Sequence, residues 1–76
     1  MAETAEQIAL NYTTMGASVD LVNEVVATGD KDDESLDCVR RNIAHLKLMR
    51  EKDYWTTEDM TSVNQAIADG DTYLEG

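Results

Sequence analysis

Apolar residues recur at helical spacing from one end of the chain to the other, and proline is absent. The first predicted helix spans residues 4–27. Its residues Ile8, Tyr12, Met15, Val19, Val22 and Val26 alternate steps of four and three, the spacing of a heptad seam. Thr4 followed by Gln7 has capping-box spacing, and Gly29 stands where a left-handed stop is wanted. Gly16 falls in mid-helix, where glycine costs about 1 kcal/mol against alanine, and marks a candidate close helix crossing. A second set, Leu10, Ala17, Leu21 and Val25, lies on the side opposite the seam. One partner helix cannot cover both stripes. The second is covered either by another segment of the chain or by another molecule.

A polar connector, Gly29 to Glu34, follows. Asp32, Asp33 and Ser35 are the candidate caps of a second helix over 34–52. Leu36, Val39, Ile43 and Leu46 form its seam, with Tyr54 on the same line and Leu48 and Met49 off it. The third helix, over 57–69, has the strongest local signal. Thr56 is its N-cap, Asp59 its N3 residue, and Trp55 and Met60 the two ends of a hydrophobic staple. Gly70 is the expected stop, with Tyr73 and Leu74 in a tail that clips back onto the core. The pattern predicts one all-α domain over 1–76. It is an antiparallel hairpin of two long helices plus a short third helix, oligomeric or docked on a partner.

Composition sharpens this. With 76 residues the core is small, and Cys38 and His45 stand alone, so neither an internal disulfide nor a Cys/His zinc site within one chain is available. No apolar run is long enough to cross a bilayer, and no signal-peptide pattern is visible, which points to a cytoplasmic setting. Sixteen carboxylates face six basic side chains, for a net charge of −10. Such a surface repels nucleic acid and anionic membrane and favours a basic protein partner. Five of the six bases, Arg40, Arg41, Lys47, Arg50 and Lys52, cluster in and just after the second helix. In an antiparallel hairpin the end of that helix lies beside Glu3 and Glu6.

Enzymatic and metal chemistry find little support. An EF-hand reading from Asp30 fails, because Ser35 stands where glycine is needed and Arg41 where glutamate is needed. Cys38 and His45 are separated by nearly two turns, about 10 Å along a helix, too far for a nucleophile and its base. Cys38 reads as a small packing residue and His45 as an exposed surface histidine. No catalytic residue, cofactor or metal site is expected.

Two stretches resemble known families. Glu34-Ser35-Leu36-Asp37 resembles the Asp-Ser-Leu motif of acyl carrier proteins, and Met60 to Ile67 is loosely similar to that family's last helix. The resemblance implies Ser35 as the attachment site of a phosphopantetheine arm. Asp33 replaces the glycine usual before that motif, and the second helix is basic where that of carriers is acidic. Arg41 to Leu46 and Lys52 to Met60 are similar to segments of small proteins of tailed phages, those of marine cyanobacterial phages in particular. That resemblance implies a phage setting, in host cytoplasm or virion, with an accessory or structural role and no catalytic motif.

The expected function is therefore non-enzymatic interaction by helix-to-helix docking. The expected interface is Leu10, Ala17, Leu21, Val25 and Leu48, and the partner is a protein or a second copy of the chain. The competing expectations are a nucleic-acid mimic that blocks a basic nucleic-acid-binding protein, and a carrier loaded at Ser35.

Overall fold

The structure, a computed structural model, describes residues 3–76. Three helices and no strand occur among them: α1 (Ala5–Thr28), α2 (Asp33–Met49) and α3 (Thr57–Glu75). Each begins at an extended residue whose side chain accepts a backbone N–H. Thr4 accepts from Gln7, Asp32 from Ser35 and Thr56 from Asp59. At α3 the box is complete, because Asp59 also accepts from the Thr56 backbone. At α1 it is half made, since the Gln7 side chain reaches Asn11 instead. Gly29 ends α1 in the left-handed conformation, at φ 73°, and returns its N–H to Val25. α2 stops at Met49, short of the expected 52. Its end is closed by the Trp55 indole N–H, which donates to the Met49 carbonyl at 2.6 Å.

α1 and α2 run antiparallel. Asn11 reaches Tyr54, Ser18 reaches His45, and Glu3 meets Lys52. α3 packs on both, parallel to α1, because Trp55 at its entry lies against Tyr12 and Tyr73 near its exit lies against Asp30. The buried core joins Met15, Val19 and Val22 of α1, Val39, Ile43 and Leu46 of α2, and Val63, Ala66, Ile67 and Tyr73 of α3. Ile8 and Leu36 are half-buried, while Tyr12 is 55% exposed.

The heptad seam of α1 is thus its α2 contact only at Met15 and Val22. The line that faces α2 is Asn11, Met15, Ser18, Val22 and Val25, also spaced by four and three. It escapes an apolar pattern because two of its members are polar. The predicted line, through Tyr12, Val19 and Val26, faces α3 across hollows shared with Asp59, Val63 and Tyr73.

α3 runs through Gly70 to Glu75, so Gly70 is not a stop. It is buried where α3 crosses the other two helices. A Cβ there would lie 2.9 Å from Ile43 Cγ1, closer still to Ile43 Cδ1, and 3.3 Å from Val22 Cγ1. Tyr73 and Leu74 reach the core as part of the helix rather than as a tail. At Gly16, the expected crossing, a Cβ would meet nothing within 4 Å.

The two helical glycines should respond oppositely to alanine. Gly16→Ala should stabilise by about 0.5–1 kcal/mol, the helix-propensity gain. Gly70→Ala should lose stability despite the same gain, because overpacking costs about 1–3 kcal/mol. Urea melts of both variants check the pair, and equal signs would reject the crossing. Thr56→Ala should lower stability by about 1 kcal/mol in the same melts, the usual loss of an N-cap.

Candidate functional site

The core-facing sides of α1 consume Met15, Ser18, Val19 and Val22. On either side of Ser18, at about 100° per residue, stand Val19, turned to α3, and Ala17, turned away from it. Leu10 stands in the same relation to Asn11, and Leu21 to Val22. Leu10 is 55% and Leu21 42% exposed, and Ala17 is exposed. Val25, expected on this stripe, is half-buried and packs against the core. Leu48 of α2 is 64% exposed, about 60° beyond His45 and away from the core-facing side of that helix. Among the described residues, three of the four large apolar side chains left exposed therefore lie on the outer face of the α1–α2 pair, opposite α3. α3 and the Tyr73–Leu74 segment do not fold over them.

Behind this face the two helices are pinned by polar groups. His45 is half-buried, not exposed, and its Nδ1 shares a 2.7 Å hydrogen bond with the Ser18 hydroxyl. Ser18 itself is 5% exposed, too enclosed to meet a substrate, so the pair fixes helix register. Nearer the open end, the buried Asn11 amide donates to Glu3 Oε2 at 2.7 Å and to the Tyr54 hydroxyl at 2.8 Å. It accepts from Gln7 at 3.3 Å. Lys52 closes the network with a 2.7 Å ion pair to Glu3. Sequence reasoning placed Lys52 beside Glu3 but missed Asn11 and Ser18, whose signal was the second heptad line.

The Lys52 ammonium, with help from Tyr54 and Asn11, holds the Glu3 carboxyl below the ordinary glutamate range against an opposing desolvation. Asp37 is lowered by Arg41, and Asp32 by the Ser35 hydroxyl.

Ser35 is half-buried at the third position of α2, with its hydroxyl on Asp32 Oδ1 at 2.6 Å. Cys38 is half-buried, and its carbonyl accepts from Asn42. Among the described residues, no three His, Cys, Asp or Glu side chains converge closely enough to hold a metal ion. No helix is long and apolar enough to cross a membrane.

Charge is sorted by helix. α1 carries Glu6, Asp20 and Glu24, α3 carries five carboxylates, and neither has a lysine or arginine. The bases of α2 meet acids of their own surroundings: Arg40 and Arg41 with Asp37, and Lys47 with Asp71. Comparison with protein-family models, with curated proteins and with solved structures finds no match.

The depressed Glu3 carboxyl contributes stability that is present above the ordinary glutamate pKa, about 4.3, and is lost as pH falls through its lower folded value. Glu3→Gln should therefore be less stable than the parent at pH 7. The gap should shrink as the solution is acidified below about pH 4. Thermal melts of both proteins across that range check the sign, and a gap that widens in acid would reject it.

Proposed function

We propose that the chain is a non-enzymatic interaction protein that docks a helical partner on the outer face of α1 and α2, through Leu10, Ala17, Leu21 and Leu48. The observation that carries this reading is the exposure of three leucines on one face of a chain that buries or half-buries its other large aliphatic side chains. Each is already about half covered, so removing the rest from water is worth about 1 kcal/mol apiece, a sizeable share of what so small a domain can gain. The Ser18–His45 bond holds the two helices in register behind the stripe, and the Asn11–Tyr54 bond ties α1 to the segment that follows α2. The face is thereby presented ready-made, which lowers the ordering cost of docking.

The charge sorting supports a choice of partner. Among charged groups α1 offers only carboxylates, and α2 offers Arg40 and Arg41, which meet Asp37 yet stay largely exposed. A second copy turned by a two-fold axis would bring its α2 onto this α1 and satisfy both edges. A different helix with basic flanks would satisfy the α1 edge alone. An accessory or structural role in a phage remains part of the proposal, supported by the resemblance of residues 41–60.

Leu21→Asp tests the reading. The variant should keep its helical circular dichroism and a stability within about 0.5 kcal/mol of the parent, as a surface change. It should lose self-association in sedimentation velocity, or the partner in a pull-down. Docking by apolar contact should persist at high salt, whereas a phosphate-array mimic would release its partner as salt screens the charges. A variant that keeps both its fold and its full assembly would sink the proposal.

A further inference from the structure

A second surface lies on the other side of α1, independent of the leucine stripe. Between α1 and the start of α3 run two hollows, each of about 530 Å³, joined at Tyr12 and Asp59, which line both. Three features of this groove point to a ligand. Tyr12 occupies a heptad position yet stays 55% exposed. Its ring is steadied by Trp55 at 6.0 Å, and Trp55 by the edge of Tyr54 at 4.7 Å. An aromatic wall is thus held in place with its outer surface open. Gly16 lines the same groove, and no neighbour requires it to be glycine. Unlike Gly70, it accepts the helix penalty without permitting any crossing, and its effect is to keep the groove deep.

The third observation is charge. Asp20, Glu58 and Asp59 line the groove, and none forms an ion pair among the described residues. Asp59 is fixed by the capping box, where Oδ2 accepts from both the N–H and the hydroxyl of Thr56. Neither helix that builds the groove has a base to answer these carboxylates. A cation laid on an aromatic face is attracted by the ring, and arginine does this most often. Its planar guanidinium and apolar methylene stem also suit a slot walled by rings.

We propose that the groove between α1 and α3 binds a cationic peptide segment of a partner protein, an arginine side chain resting on Tyr12 and Trp55 with its charge beside Asp59, and a second basic group further along the groove facing Asp20 and Glu58. Apolar neighbours in that segment would occupy the depth left open at Gly16. The site is separate from the leucine stripe, so the chain has two faces with different ligands.

The test uses a fluorescein-labelled, amidated peptide with arginine and leucine on one helical face, followed by anisotropy and by the emission of the single tryptophan, Trp55. Gly16→Met fills the groove and leaves every charge in place. It should weaken binding about tenfold or more, while its melting midpoint stays at or above the parent's. Asp20→Asn with Glu58→Gln should weaken binding and flatten its salt dependence. A peptide with citrulline in place of arginine should bind much more weakly. Leu21→Asp should bind as the parent does. Equal binding by Gly16→Met would mean adsorption to a polyanion and would overturn the proposal. So would full binding of the citrulline peptide, loss of binding in Leu21→Asp, or no measurable binding by the parent.

Discussion

Ile43 of α2 and Val22 of α1 press on the same stretch of α3 backbone, at Gly70, and this close crossing is where all three helices meet. With no side chain at Gly70, α3 sinks between its neighbours. It then brings Val63, Ala66 and Ile67 into the core on one side and Tyr73 on the other. Tyr73 locks the far end. Its hydroxyl donates to the Asp30 carbonyl, its backbone carbonyl accepts from Lys31, and the Lys31 ammonium sits 3.7 Å from its ring centre. Burial raises the Tyr73 phenol above its usual range, with the charges of Asp32 and Asp30 adding to the effect. The connector between α1 and α2 is therefore tied to the end of α3, and all three helices close as one unit.

Local chemistry was legible in the chain at the helix starts, where Asp32 is the one used of three candidate caps, and at the Gly29 stop. Thr4, Asp32, Thr56 and Gly29 act as their surroundings suggest. Tertiary roles were not legible in the same way. Gly70 looks like a helix end and Gly16 like a crossing, yet the crossing is at Gly70 and neither glycine ends a helix. Nothing local separates them, because a glycine's neighbours across space decide whether its missing side chain is needed. The α1–α2 contact was hidden for a related reason. A line containing Asn11 and Ser18 reads as surface until Tyr54, Glu3 and His45 are brought opposite to satisfy it. The leucine stripe could be read because its residues are apolar and repeat. Val25 could not be separated from it, since only packing shows that it turns into the core.

The polar pins also explain why a chain with so few core residues holds a defined pairing of helices. Apolar seams tolerate sliding by a turn, whereas a buried amide with three partners does not. Ser18 ties α1 to His45 of α2, and Asn11, two turns earlier on the same line, ties it to Tyr54 in the segment that follows α2. The cost of misregister is a buried polar group left without a partner, about 1–3 kcal/mol for each.

Confining lysine and arginine to α2 and its flanks gives the molecule a permanent electric dipole across its short axes, with the α1–α3 edge negative and α2 less so. A body with such a dipole is rotated by an approaching charged surface before any atoms touch. A basic partner arriving by diffusion would turn the α1–α3 edge toward itself and leave the leucine face pointing elsewhere. Orientation is thus settled at a distance of about one Debye length, near 8 Å in physiological salt. The same torque would align neighbouring copies on a charged scaffold, so that a crowd of these molecules would share one polarity rather than lie at random.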